Sequence, residues 1–307
     1  MVTRNDVLCG FWPHATEQAA RTLPGDPHVA AQNREPDQIR AAWQAHPAGP
    51  PPSITTVVPA DLLLDGLTDE TTLRDVGLQQ DAADTRSIGD LVARQIEQAD
   101  TVLLTGDADL DDAWEAEQLR VLLRRLAPWT DRRRPGEPVA AVTRGLRGYA
   151  VGAHEPVPEH GVAACVFRAR RPLHPGRLHD ALDEVTDGVL RSRGHFWLAS
   201  RPDLVMTWES AGGLTLGPHS GWLAELPDEH WAEVDPERRL AATLDWDPYY
   251  GDRHHQLAFV GIDLDPVRIH RTLDRCLLTD DELSRGEQHW RALPDPFRRT
   301  YLTRAQP

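Results

Sequence analysis

Between Ser53 and Leu126 the chain alternates two kinds of apolar run, and this alternation restricts the fold more than any other feature of the sequence. "SITTVVPADLLLDGL" opens with a β-branched run of strand length. "SIGDLVARQIEQAD" then sets Ile88, Leu91, Val92, Ile96 and Ala99 at helical spacing, with Ser87 placed as an N-cap. Thr101 to Thr105 reads as a second strand, and Leu119, Leu122, Leu123 and Leu126 line a second helix. A helical crossover returns the chain to a parallel neighbour, so the expectation is a parallel, doubly wound sheet. Residues 24–53, which include "HPAGPPPS", read as a loop or loosely held helix before it.

The pattern changes after a stretch rich in charge, Pro and Gly, "DRRRPGEPVAAVTRGLRGYAVGAHEPVPEH", which places a domain boundary at residues 145–160. "GVAACVFRA" is a continuous apolar strand. "PGRLHDALDEVTDGVLRSRG" is expected to be one helix, with Pro175 in its first turn, Leu178, Ala181, Leu182, Val185 and Val189 inward, and Gly194 as its stop. The strands "HFWLAS" and "DLVMTWES" follow, then a Gly-rich hairpin region and the late strand "HQLAFVGIDL". A helix with Ile269, Leu273, Cys276 and Leu277 facing the core comes last. Such an order predicts an α+β layer, helices on one face of a largely antiparallel sheet.

Charge excludes some partners. With 33 Lys plus Arg against 48 Asp plus Glu the net charge is −15, which repels a phosphate backbone or an anionic bilayer. Direct nucleic-acid binding and membrane association are not expected, whereas a basic protein partner is compatible. Cys9, Cys165 and Cys276 form no Cys-x-x-Cys pair, which fits a reducing cytoplasm. The N-terminus shows no apolar signal region, and no apolar run reaches the length of a membrane span. A cytoplasmic location is the expectation.

Several strings in the second half resemble the CobW C-terminal domain, the module that follows the G domain in CobW-type GTPases and metallochaperones. They are "RRPLHPGRL", "RSRGHFWLASRPDLVMTWESAGG", "GDRHHQLAFVGIDLD", "CLLTDDEL" and "PDPF", in order over residues 160–298. "VDPERRL" and "RRPLHP" look like the actinobacterial branch linked with recruiting a ribosome hibernation factor when zinc is scarce. In the first half, "TTVVPADLLLDGL", "DTRSIGDLVARQIEQADTVLLT" and "LRVLLRRLAP" resemble the later part of the family's G domain. No Gly-x-x-x-x-Gly-Lys-Ser/Thr string and no Gly-Cys-x-Cys-Cys element occurs in the 307 residues. The resemblance therefore implies an α/β remnant of a P-loop-type parallel sheet, a truncated and degenerate G-domain-like region over 1–150, followed by an α+β CobW C-terminal domain over 151–307.

Residue expectations follow. "LLTGDADL" ends a strand where the family reads the guanine base, so Asp107 and Asp109 are the relic of that turn, without its Asn and Lys. His254 and His255 are the candidate metal ligands, although neighbours on a strand point to opposite faces and do not easily share one ion. Asp252 and Arg253 in "GDR", Arg201 in "ASRPD" and Arg191 in "RSRG" are either turn anchors or a partner-facing polar patch. Trp222, Trp231 and Trp246 beside "DWDPYY" would form an aromatic interface if exposed. No nucleophile elbow is present. The expected function is non-catalytic, by contact with a protein partner such as a basic ribosome hibernation factor or ribosomal protein, in ribosome hibernation or zinc homeostasis, with no cofactor. The alternative is a GTP-dependent metallochaperone using GTP, magnesium and zinc, whose P-loop part lies upstream of Met1.

Overall fold

The computed structural model describes residues 6–23, 25, 27–47, 49–107, 110, 112–128 and 157–298. The chain divides into two compact units, one of residues 1–139, 158–162 and 210–213 and the other of 140–157, 163–209 and 214–307. The boundary expected at 145–160 lies mostly outside the described residues.

In the first unit β1 (Val7–Cys9), β2 (His28–Val29), β3 (Ile54–Pro59) and β4 (Thr101–Thr105) form a four-stranded sheet in the order β2-β1-β3-β4. Every pairing in it is parallel. The crossovers are α1 (Pro13–Thr22), α2 (Pro36–Ala45) and the pair α3 (Leu63–Thr68) and α4 (Ile88–Gln98), and α5 (Ala113–Leu126) follows β4. Ser87 caps α4 as the sequence suggests: its Oγ accepts the Asp90 N–H at 3.0 Å, while the Asp90 carboxylate accepts the Ser87 N–H at 3.3 Å. Ile88, Leu91, Val92 and Ile96 are all buried. The Asp100 carboxylate accepts the Ile54 N–H at 3.0 Å and pairs with Arg40 at 2.8 Å, tying α2 to the start of β4. The region 24–53 is thus more ordered than its composition suggests: β2 and α2 lie inside it, and α2 closes its first turn with a Glu35/Gln38 capping box.

The second unit is built on β5 (Val162–Ala169), β6 (Val189–Leu198), β7 (Arg201–Ser210), β8 (Leu214–Gly221) and β9 (His255–Ile262). Their order is β5-β9-β6-β7-β8, and β6 runs antiparallel to β9 with Gly194 opposite Leu257. Helix α6 (Pro175–Thr186) connects β5 to β6, and β9 inserts between them, a split β-α-β arrangement. The remaining helices are α7 (Pro236–Leu244), α8 (Pro266–Cys276), α9 (Asp280–Ser284) and α10 (Glu287–Trp290). His174 caps α6 by accepting the Gly176 and Arg177 N–H groups on Nδ1, and Asp265 caps α8 in the same way through its carboxylate. Phe167, Phe196, Trp208 and Phe259 of the sheet pack with Leu178 of α6 and Ile269 and Leu273 of α8. Burying each such Phe or Leu contributes about 1.5–3 kcal/mol.

The helix expected over 175–194 ends at Thr186. Gly188, at φ +74°, turns the chain, and Val189 to Gly194 become the first half of β6. An α/β chain followed by an α+β unit is the fold class that the sequence predicts.

Candidate functional site

His255 begins β9 and is fully buried. Its Nε2 donates to the Arg171 carbonyl at 2.8 Å and its Nδ1 accepts the Trp197 N–H at 3.3 Å. That pattern requires the neutral ring. Burial between Phe167 and Trp197 agrees, holding the pKa down at about 3. His254, one residue earlier, projects to the other face: its Nδ1 faces the Asp252 carbonyl at 2.8 Å and its Nε2 meets Nε2 of His195 at 2.9 Å. The structure therefore pairs His254 with His195 instead of His255. Both rings of the pair rest against Trp222. Burial, then the neighbouring histidines, lowers the His195 pKa to about 3. Two imidazole nitrogens converge there, but among the described residues no group of three or more His, Cys, Asp or Glu could hold a metal ion. Cys9, Cys165 and Cys276 are buried far from one another in the sequence and their thiols are pushed by burial to about 11, 12 and 11.

The four charged positions are held by their surroundings. Asp252 is buried, and its two oxygens accept the Leu223 and Ala224 N–H groups at 2.9 Å each. Arg191 is buried too, pairing with Glu209 at 2.6 Å. These two are internal anchors, which corrects their assignment to a partner-facing surface. Arg253 donates to the carbonyls of Pro202 and Tyr250, pairs with Glu225, and lies over the Trp197 ring at 5.9 Å. Arg201 is half-buried at the start of β7. Between Asp252 and Asp247, Gly251 has φ +65°, and a Cβ there would fall 2.5 Å from Ala224 Cβ. The "GDR" turn is thus a clasp that locks residues 247–253 onto the turn at 223–225.

The segment held by that clasp faces outward. Trp222 is buried and so takes no part in the aromatic interface that exposure would have given, whereas Trp246 is 42% exposed and its ring lies 5.3 Å from that of half-buried Trp231. Leu226, Leu240, Leu244 and Tyr249 are also exposed, the last two at 74% and 68%. Leu240 and Leu244, one turn apart on α7, were not singled out by sequence reasoning. The signal available was an i, i+4 leucine pair in an acidic stretch with no apolar partner face nearby in sequence.

In the first unit Asp107 follows β4 and pairs with Arg120 of α5 at 2.5 Å. Asp109 lies outside the described residues. In open parallel sheets ligands bind at the carboxyl ends of strands where the order reverses, here between β1 and β3. At that end, Gly10 is packed so that a Cβ would sit 2.6 Å from the Val57 carbonyl, and Trp12 closes over Gly66.

Residues 162–277 match the family described as cobalamin synthesis protein cobW C-terminal domain. A zinc chaperone of Mycobacterium tuberculosis (strain ATCC 25618 / H37Rv) is 38% identical over 236 residues, which are 71% of this chain and 56% of that protein. A zinc-regulated GTPase metalloprotein activator 1 of Dictyostelium discoideum is 29% identical over 267 residues, 80% of this chain and 56% of that protein. The chain thus spans about half the length of these curated relatives, 56% in each case. Among solved structures, the Zn(II)-bound YjiA GTPase from E. coli aligns over 85% of this chain and 74% of its own, at 14% identity and a TM-score of 0.33. No helix among the described residues is long and apolar enough to cross a membrane. The chain belongs to the CobW-type family, and its second unit carries the CobW C-terminal domain.

Proposed function

We propose that this chain serves zinc homeostasis without catalysing a reaction, through contact of its second unit with a basic protein such as a ribosome hibernation factor. The observation that carries this reading is the contrast within that unit. Its ionisable side chains of chemical interest are bound internally: His255 to Arg171 and Trp197, Asp252 to two backbone N–H groups, Arg191 to Glu209. Leu226, Leu240, Leu244, Trp246 and Tyr249 face solvent instead. A net charge of −15 favours encounter with a basic partner, at a rate that falls as salt rises. Titrating the purified full chain with the organism's own hibernation factor, with and without a zinc chelator, tests it. Saturable, salt-sensitive binding is expected, and its absence in both conditions removes the reading.

A second reading rests on the parallel sheet of the first unit and on the relatives named as zinc chaperone and GTPase activator. On that view GTP with magnesium, and zinc as cargo, belong to the function. The DNA preceding the start codon separates the two: an in-frame extension that encodes a Gly-x-x-x-x-Gly-Lys-Ser/Thr loop, and whose product binds GTP with a low-micromolar dissociation constant, favours the second, and a stop codon in that frame favours the first.

A further inference from the structure

Exposed large apolar side chains are unevenly distributed over the described residues. Eleven stand out as exposed, and five of them, Leu226, Leu240, Leu244, Trp246 and Tyr249, fall within 24 consecutive residues of the second unit. Scattered apolar residues need no explanation, but a cluster of this kind marks a contact surface. Leu240 and Leu244 share one face of α7, and Trp231 and Trp246, the residue type that most often anchors interfaces, pack with their rings tilted at 57° beside the helix ends.

The same stretch is strongly acidic. Between Glu225 and Asp247 there are eight acids and two arginines, a net of −6 in a chain of −15. Asp228, Glu229 and Glu233 are exposed around the aromatic pair. Both arginines turn to backbone carbonyls, Arg238 to Gly221 and Arg239 to Trp231 at 3.2 Å. The clasp of Gly251, Asp252 and the Arg253–Glu225 pair fixes the segment's far end, so its surface is formed before any partner arrives.

We propose that the surface of Leu226 to Tyr249 docks a basic amphipathic helix of a partner protein, its apolar side chains on Leu240, Leu244 and Trp246 and its Lys or Arg side chains toward Asp228, Glu229 and Glu233. A second copy of this chain is a poor occupant, because the two faces would bring acid against acid. The proposal rests on the protein-contact reading above and specifies where that contact is made.

The test uses the full chain and two dye-labelled synthetic peptides of one composition, an amphipathic helix of Leu and Lys and its scramble, read by fluorescence anisotropy. The wild type is expected to bind the amphipathic peptide at least about tenfold more tightly than the scramble. Leu244→Ser and Trp246→Ala should each remove most of that preference, while Val267→Ser, at an exposed apolar position on α8, leaves it unchanged. Asp228→Lys combined with Glu229→Lys should flatten the salt dependence. Far-ultraviolet dichroism and the urea midpoint establish that each variant is folded, and since Leu244 is 74% exposed its replacement leaves the core intact. Equal binding of peptide and scramble, equal binding by wild type and Leu244→Ser, or a wild-type dimer dissolved by Trp246→Ala overturns the proposal. Hibernation-factor binding that persists in Leu244→Ser and Trp246→Ala refutes this surface and leaves the contact reading standing. Peptide binding lost in those variants, with no hibernation-factor binding, refutes that partner and leaves this surface standing.

Discussion

Acid should destabilise the second unit through His255, and the size of the effect can be worked from its surroundings. The ring is fully buried, donates from Nε2 to the Arg171 carbonyl and accepts the Trp197 N–H on Nδ1. A second proton would place N–H against N–H at Trp197 and a charge between two aromatic rings, so the folded-state pKa of about 3 lies below the unfolded value near 6.5. Above pH 6.5 both states are neutral and nothing is lost. Below it the unfolded chain takes up a proton that the native ring does not, so stability falls as pH drops from about 6.5 toward 3, by ~1.4 kcal/mol per pH unit for each such group. At pH 5 His255 alone accounts for about 2 kcal/mol. His195, also held near 3, adds a similar amount of the same sign. Urea unfolding followed by Trp fluorescence at pH 7.5, 6 and 5 measures this. His255→Gln keeps an amide donor for Arg171 but cannot titrate. It should be less stable than wild type at pH 7.5, by about 1–2 kcal/mol, and should lose less stability between pH 7.5 and 5. Parallel pH profiles for the two proteins would refute the argument.

Three other outcomes follow from the geometry. Gly194→Ala should lower the urea midpoint sharply, by about 2 kcal/mol or more in free energy, because the new methyl meets the Gln256 carbonyl across the β6–β9 pair at a φ of +154°. Asp252→Ala should cost about 2–3 kcal/mol by leaving the buried Leu223 N–H and the partly buried Ala224 N–H unpaired, and it should loosen the 226–249 surface, seen as faster amide exchange there than in α8. Cys9, Cys165 and Cys276 should react with a thiol reagent at pH 7.5 only on unfolding, since all three are buried and protonated, so three equivalents in urea and less than one without it is the expected count by absorbance.

Where the chain's periodicity was long and its caps were local, the fold was legible before the structure. Helix α4 is the clearest instance, because the inward residues and the Ser87 cap lie within one short stretch. The first two strands were not, since β1 has three residues and β2 two, too few to show a period, and their helices carry little apolar surface. The overextended helix after Pro175 has another cause. Val189 and the residues after it fit either a helix or a strand locally, and pairing with β9, some seventy residues later, decides for the strand. The site shows the same division. Opposite faces for His254 and His255 could be read from strand geometry, whereas the His254–His195 contact depends on a long-range register and the burial of Asp252 on a turn thirty residues away.

The place of β9 in the sheet also bears on how the second unit is made. Strands β5 and β6 are synthesised early and connected through α6, yet each has one edge reserved for β9. At about 5–20 residues per second the ribosome needs on the order of several seconds to go from the end of β6 to the end of β9. Throughout that interval two apolar strands hold open rows of backbone donors and acceptors, the condition under which nascent chains pair wrongly with one another. The far edge has its own protection, for β8 carries Pro218 between two glycines, Gly217 and Gly221. A stop codon between Leu198 and His255 would therefore yield a product with two unsealed edges in the middle of its sheet, and in the intact chain the cell's holding chaperones, more than any property of the finished protein, would decide whether it survives to receive its last strand.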